Sequence, residues 1–447
     1  MAATRKRLSS KPVVGVVADS LSRHVPPHAR LVLALSGGID SVVLLHALCA
    51  LRKEHPFEMQ AVHVHHGLSS QADDWAEFCA RLCETHAVEL SIHRVQIADA
   101  DPAGIEAAAR RARLQVFSVL DADFVLTAHQ QDDQAETLLL QLLRGAGPKG
   151  LAAMAELQRQ PGWRAAHLRP LLGVSRESIQ NYALAHTLAW VEDDSNQDVR
   201  FRRNALRQQV MPLLHTHFPG ASTTLARAAS LQADASGLLD DLARIDAVEA
   251  ISGDRLDCAA LVALSLPRAR NLLRHFIESQ GQPMPSARRL NEALRQVGEA
   301  RHDAAVCLKL GAVDMVRFRG GVYLVPGAPT WSEPVRWRGE TRLGVPGSGV
   351  AVQLDDVVGA GLKRTLLESA AVTLGVRQGG ERLRLHAGGP HRSLKNLMQE
   401  LAIPPWQRQR LPLLWCDGRL VWAAGIGLDA DTLAAPGEAG VLPRVVT

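Results

Sequence analysis

Apolar and polar positions in the first third of the chain switch between two periods. Leu31–Leu35 is an unbroken apolar run of strand length, and Ser41–Leu51 then carries apolar residues at helical spacing. The same pairing recurs in Gln60–His65 with Ala72–Thr85, Glu89–Val95 with Gly104–Leu120, and Phe124–Thr127 with Asp132–Leu143. Alternating β and α segments of this size predict an α/β domain, a parallel sheet covered by helices. Ligands bind such sheets beyond the carboxyl ends of the strands, and the polar clusters of this half fall there.

The remainder has a different rhythm. Pro212 and Pro219 punctuate the end of the first domain. Residues from Ser222 to about Val297 read as long amphipathic helices rich in Ala, Leu and Arg. Lys309–Val325 alternates and turns at Arg319-Gly320-Gly321, the pattern of a β-hairpin. A Pro/Gly-rich passage, Pro326–Gly349, then joins a last unit with a glycine-rich loop, a basic helix His391–Glu400, and a hairpin Leu413–Ile426 turning at Asp417-Gly418. The expected division is 1–218, 219–330 and 365–437, within the range that 447 residues allow at roughly 100–200 per domain.

Composition narrows the classes. No apolar run reaches the ~20 residues of a membrane span, and the basic start Met1–Lys11 is followed by no apolar signal core, so a cytoplasmic protein is expected. Six cysteines are scattered without a Cys-x-x-Cys pair, which argues against a disulfide framework, structural zinc or an iron–sulfur cradle. Cys79 and Cys83, one helical turn apart, read as buried apolar positions. A net charge of +4 is compatible with an RNA partner without requiring one.

The chemistry concentrates at the strand ends. After the first strand comes Ser36-Gly37-Gly38-Ile39-Asp40-Ser41, a tight loop opening a helix. Glycines let backbone N–H groups close on phosphate, and the helix N-terminus adds partial positive charge. Asp40 repels phosphate unless a cation lies between them, which suggests Mg²⁺ bridging protein and triphosphate. His63-Val64-His65-His66-Gly67 follows the second strand. Strand alternation explains it better than metal ligation, and His65 or His66 with the Gly67 turn is expected to line the cleft. Glu106, Arg110 and Arg113 share one helix, whose face is either solvated or set to neutralise phosphates. His129, Asp132, Asp133 and Glu136 cluster where a strand passes into a helix. Capping needs only one carboxylate, so the others suit either Mg²⁺ or an ammonium group with a base nearby. The helix should stop at Arg144-Gly145. Acidic residues of Trp190–Asn196 precede the basic Phe201–Arg207, which by itself reads as a turn and a solvated helix.

Taken in order, these motifs resemble one family. Ser-Gly-Gly-x-Asp-Ser is similar to the loop of the ATP pyrophosphatases (PP-loop proteins), which split ATP into AMP and pyrophosphate. That loop, with His63–Ser69, Gly104–Arg110, Thr127–Thr137, Arg144–Pro148 and Arg203-Asn204-x-x-Arg207, resembles the tRNA(Ile)-lysidine synthases. Arg377–Arg382, Lys395–Leu397 and Pro404–Trp406 resemble that family's C-terminal domain.

The resemblance implies a Rossmann-like catalytic domain, a mainly helical substrate domain and a small α+β tRNA-binding domain. It implies a ligase that joins L-lysine to C2 of the wobble cytidine of CAU-anticodon tRNA(Ile), through an adenylated cytidine, with ATP and Mg²⁺. By carry-over, Ser36, Gly37, Gly38, Ile39 and Ser41 would hold the pyrophosphate and Asp40 the metal. Asp133 and Glu136 would bind the lysine ammonium, helped by Asp132. His129 would border the base, and Arg113 and Arg203 would face the nucleotide. A monomer or homodimer is expected. A tRNA thiolase or a non-catalytic tRNA-binding protein are the competing readings.

Overall fold

The computed structural model describes residues 12–97, 104–192, 202–299, 306–311, 313–326, 333–345 and 350–446, and of residue 106 the backbone only. The chain forms two compact units, Met1–Leu239 and Asp240–Thr447.

The first unit runs α1 (Val13–His24), β1 (Arg30–Ala34), α2 (Ile39–Leu51), β2 (Glu58–His65), α3 (Ala72–Thr85), β3 (Glu89–Arg94), α4 (Ile105–Val119), β4 (Phe124–Leu126) and α5 (Gln131–Leu143). It continues with α6 (Pro148–Leu151), β5 (Leu157–Gln158), β6 (Ala166–Leu168), α7 (Arg176–Ala185), α8 (Arg202–Ala205), a π-turn at Leu206–Val210, and α9 (Met211–His217). The long α10 (Ala221–Ala250) leads onward. The sheet order is β3-β2-β1-β4-β6-β5, parallel except for the edge strand β5, which runs antiparallel to β6.

Both faces of the sheet are covered, which is why its strands read as continuous apolar runs. Leu31, Leu33 and Leu35 point into a core shared with α1, α2, α3 and α7, whereas Val32 points the other way, to Phe117 of α4. α2 is buried nearly all round: Val43, Leu44, Leu45, Ala47 and Leu48 are fully inaccessible. Each such aliphatic side chain contributes about 1.5–3 kcal/mol relative to exposure. Strand order reverses between β1 and β4. The loops leaving their carboxyl ends therefore diverge and leave a crevice at the switch point.

In the second unit the end of α10 leads into a hairpin, β7 (Ile251–Ser252) and β8 (Arg255–Asp257), which interrupts the helical pattern expected from Ser222 to about Val297. α11 (Cys258–Ala263), α12 (Leu266–Ser279) and α13 (Ala287–Glu299) follow, then β9 (Cys307–Lys309), β10 (Val313–Phe318) and β11 (Gly321–Pro326). The expected hairpin is thus the centre of a five-stranded sheet, β7-β8-β11-β10-β9. Phe276, Leu272 and Leu290 pack with Met315 and Val322 in one core.

The Pro/Gly-rich passage is not merely a connector. β12 (Val335–Arg336) and β13 (Arg342–Gly344) lie in it and pair with later strands. The C-terminal body then contains β14 (Ala351–Val358), β15 (Leu362–Lys363), α14 (Arg364–Ser369), β16 (Val372–Gly375), β17 (Arg382–Leu383), β18 (Arg392–Ser393) and α15 (Leu394–Glu400). It closes with α16 (Pro405–Arg408), β19 (Leu413–Cys416), β20 (Arg419–Ala423), β21 (Gly427–Leu428) and β22 (Ala439–Val446). β14 and β22 pair along their whole length, Ala351 with Val446 through Val358 with Ala439. The basic helix expected from His391 starts at Leu394, because Arg392 and Ser393 pair with Leu383 and Arg382 and the Ser393 hydroxyl caps α15.

Candidate active site

The crevice beside β1 is floored by the glycine loop. Gly37 has φ +86°, and a Cβ there would lie 2.8 Å from Val191 Cγ2 and 3.3 Å from Cys79 Sγ. Backbone conformation and space both exclude a side chain. Ser36 Oγ and Ser41 Oγ are 3.1 Å apart, and Ser41 Oγ donates to Gly38 O at 2.9 Å. Gly38 sits at the N-cap of α2 with no side-chain cap, and Ile39 begins the helix. The Gly38 N–H reaches Ser36 Oγ only at 3.4 Å, and the loop's backbone N–H groups and a helix N-terminus converge on one spot, as an anion requires.

Beneath the loop, His63 Nδ1 lies 2.9 Å from Leu35 O and 3.6 Å from Cys79 Sγ, so this histidine secures the loop's entry to β2. His65 Nε2 is 3.2 Å from Asp73 Oδ1 and takes a hydrogen bond from Arg94. Of the two histidines, His65 or His66, one of which is expected to line the cleft with the Gly67 turn, His65 is engaged in this pairing. Among the described residues no group of three His, Cys, Asp or Glu side chains can hold a metal.

Asp40 stands in the first turn of α2. Its Oδ1 is buried and has no hydrogen-bond partner among the described residues. Burial, then the nearby charge of Asp133 and to a lesser degree Asp132, push its carboxyl up to about 6, against the pull of Arg176 and Arg207. A buried carboxylate oxygen lacking a donor, beside a phosphate-binding loop, fits a divalent cation. Mg²⁺ commonly takes only one or two protein carboxylates and completes its shell with phosphate oxygens and water.

The second wall is the start of α5. His129 precedes the helix rather than sharing its face. Gln130 caps it, accepting from Asp132 N at 2.7 Å, while Asp133 Oδ2 accepts from Gln130 N at 3.0 Å. Capping accounts for that one oxygen only. Asp133 Oδ1 accepts from Arg203 Nη2 at 2.8 Å and Arg207 Nη2 at 3.0 Å. Glu136, 1% exposed, accepts from Arg207 Nε at 2.7 Å, Arg203 Nε at 2.8 Å and Arg207 Nη2 at 3.0 Å. Among the described residues each carboxylate makes three of the roughly four hydrogen bonds it can accept. One place remains on each.

The charges are finely set against each other. Burial disfavours the Asp133 carboxylate, but Arg203, His129, the Gln130 N–H and Arg207 together hold it below the usual range. Burial, aided by Arg169, Arg203 and Arg113, pushes His129 down to about 3 against the pull of Asp133, so its imidazole is neutral. Arg113 falls to about 10 through burial and the repulsion of Arg110 and Arg203. These crowded cations mark a place for a polyanion.

The structure thus brings Asp40, Asp132, Asp133, Glu136, His129, Arg113 and Arg203 into one neighbourhood. Glu106's side chain, residues 193–196 and Phe201 lie outside the described residues. Four participants were not foreseen. Arg207 was legible in the four-residue spacing of Arg203-Asn204-x-x-Arg207, one helical turn. Arg176, His167 and Arg169 come from α7 and from β6 and its exit, where the apolar pattern is too short to show a strand.

A Rossmann-like parallel sheet with a glycine-rich phosphate loop at its switch point defines a nucleotide-binding domain of the PP-loop class, and the PP-loop domain family matches residues 14–214. The TilS substrate binding domain matches residues 256–323 and the TilS substrate C-terminal domain residues 372–446. The chain is 40% identical to the tRNA(Ile)-lysidine synthase of Nitrosomonas europaea over 98% of its own length and 97% of the relative's. It is 46% identical to that of Aromatoleum aromaticum over 94% and 97%, and 44% identical to that of Azoarcus sp. over 94% and 93%. It belongs to the tRNA(Ile)-lysidine synthase family.

Proposed function

We propose that this protein ligates L-lysine to C2 of the wobble cytidine of CAU-anticodon tRNA(Ile), consuming ATP. The observation that carries this is the near-complete coverage of lysidine synthases of similar length, with the phosphate loop and the α5 acid–arginine cluster meeting in one crevice.

In the first step the cytidine C2 oxygen attacks the α-phosphorus of ATP, forming a C–O–P link and releasing pyrophosphate. This turns a poor leaving group into a good one. The loop N–H groups of Gly37, Gly38 and Ile39, with the hydroxyls of Ser36 and Ser41, hold the departing pyrophosphate. Mg²⁺ held by Asp40 would neutralise charge on the phosphates. Arg113 and Arg203 face the nucleotide. In the second step the lysine ε-amine, having lost a proton, attacks C2, and AMP leaves with its bond to the C2 oxygen.

Asp133 and Glu136, with Asp132 nearby, bind the incoming ammonium through the one acceptor place each retains. Arg203 and Arg207 already balance the two buried carboxylates, so the attraction for a third cation is modest. That suits an amine that must become neutral to react. We assign residues 219–330 to substrate binding and the C-terminal body, 365–437, to tRNA. The protein acts as a monomer or homodimer.

Thiolation is the weaker reading. Burial pushes the Cys79 thiol up to about 12 and Cys83 to about 11, which leaves neither a ready nucleophile. The test is transfer of radiolabelled lysine into purified CAU-anticodon tRNA(Ile) with ATP and Mg²⁺. Label that depends on ATP supports the reading; none, with tRNA bound and protein folded, rejects it.

A further inference from the structure

Behind His129 runs a chain of hydrogen bonds whose direction can be worked out. Arg169 leaves the end of β6 and is 4% exposed. Its Nη1 donates to Ala155 O at 2.7 Å, and its Nη2 lies 3.1 Å from both Gln158 Oε1 and His167 Nδ1. His167, 2% exposed and stacked at 16° on the Trp163 ring, places Nε2 2.8 Å from Thr127 Oγ1. The same hydroxyl is 2.8 Å from His129 Nδ1.

A guanidinium donates and never accepts. His167 Nδ1 must therefore accept from Arg169, and the proton of this neutral ring sits on Nε2. That N–H donates to Thr127 Oγ1. No other acceptor for the threonine proton is found among the described residues, so it points at His129 Nδ1. His129 Nδ1 is then the acceptor, and the ring's own proton is on Nε2. Neither ring can escape by taking a second proton, since burial first and then neighbouring arginines drive both down to about 3. His129 Nε2 has no partner among the described residues.

We propose that Arg169, His167 and Thr127 are positioning residues that lock His129 as the neutral Nε2–H tautomer. His129 is thereby a fixed hydrogen-bond donor to bound substrate and not the base that accepts lysine's proton. An incoming pyrimidine offers acceptors at N3 and the C2 oxygen, and the nucleotide offers α-phosphate oxygens. Any of them can receive this N–H, whereas an amine proton cannot be delivered to a nitrogen that already carries one.

The tautomer is a property of the protein alone; only its use rests on the lysidine reaction. The first readout therefore needs no substrate. In the full-length chain labelled with ¹⁵N-histidine, with His129→Gln to assign the signal, His129 should show an unprotonated Nδ1 and a protonated Nε2, unchanged between pH 8 and pH 5. Thr127→Val should move both nitrogens toward the exchange average of a free imidazole, and Thr127→Ser should restore the split. Arg169→Met, which removes the donor that sets the direction, should also mix the tautomers, and it serves if Thr127→Val does not fold. A protonated Nδ1 in the wild type overturns the proposal, as does an unaltered pattern in folded Thr127→Val. In the lysine-transfer assay Thr127→Val should lower kcat roughly 10- to 100-fold with the KM for ATP unchanged, as loss of a hydrogen-bond partner that orients a functional histidine does, and Thr127→Ser should recover most of it. A confirmed tautomer in a protein that modifies no tRNA would leave this inference standing and reject the proposed reaction.

Discussion

Asp40 combines a buried oxygen without a donor and a carboxyl pushed up to about 6. Its ordinary value is 3.8, so the folded protein binds the proton more tightly than the unfolded chain does. Below pH 4 both states are protonated and the group costs nothing. As pH rises through about 6, the folded state must carry a charge that the unfolded chain carries more easily, and stability falls. Measured by urea unfolding in the presence of a chelator, Asp40→Asn should exceed the wild type at pH 7 by about 1–3 kcal/mol. The gap should close by pH 4, and a gap independent of pH would contradict the assigned environment. The residues of the Ser36–Ser41 loop were legible in sequence because their geometry is local: a strand, two glycines and a helix start. Thr127, His167 and Arg169 were not, because their roles arise from contacts across 40 positions between Thr127 and His167.

Between elements, four ion pairs join α5 to the segment of α8 and the π-turn. π-turns gather at functional sites because they shift the phase of the side chains that follow. Here Arg203 lies before the π-turn and Arg207 within it, and both reach Asp133 and Glu136. Arg207→Ala would strand Glu136, at 1% exposure, with one partner fewer. The expected loss is about 2–3 kcal/mol in denaturant unfolding, below the usual figure for a buried pair because Arg207 is itself a third exposed. Arg207→Lys should fall between, keeping the charge but not the fork. The paired strands and helices of the first unit were visible as changes of period. The β7–β8 hairpin was not, since its five strand residues lie between the 30-residue α10 and the short α11. β12 and β13 were hidden by the prolines and glycines around them, and gain their strand character only from partners in later sequence.

At the scale of the molecule, each of the two units has its own hydrophobic core. The phosphate loop, Asp40 and the α5 cluster all belong to the first. Calorimetry should resolve two transitions, and Mg-ATP should raise only one of them, since a ligand stabilises the unit that binds it. Equal shifts of both would mean that they melt as one. Sequence alone divided the chain by composition and punctuation, which reveals where a pattern changes but not which strands close a core. The pairing of β14 with β22, 81 to 95 residues apart, has no local signature.

The cysteines decide how this protein can be watched at work. Cys79, Cys83, Cys258 and Cys416 are buried, Cys79 against the phosphate loop, and Cys49 is half-buried, whereas Cys307 stands exposed on β9. A maleimide dye will find Cys307 first, on a strand of the second unit, which contributes none of the phosphate-loop residues. The chain carries its own attachment point for a fluorophore, and substrate engagement can be followed by light without engineering a single residue near the chemistry.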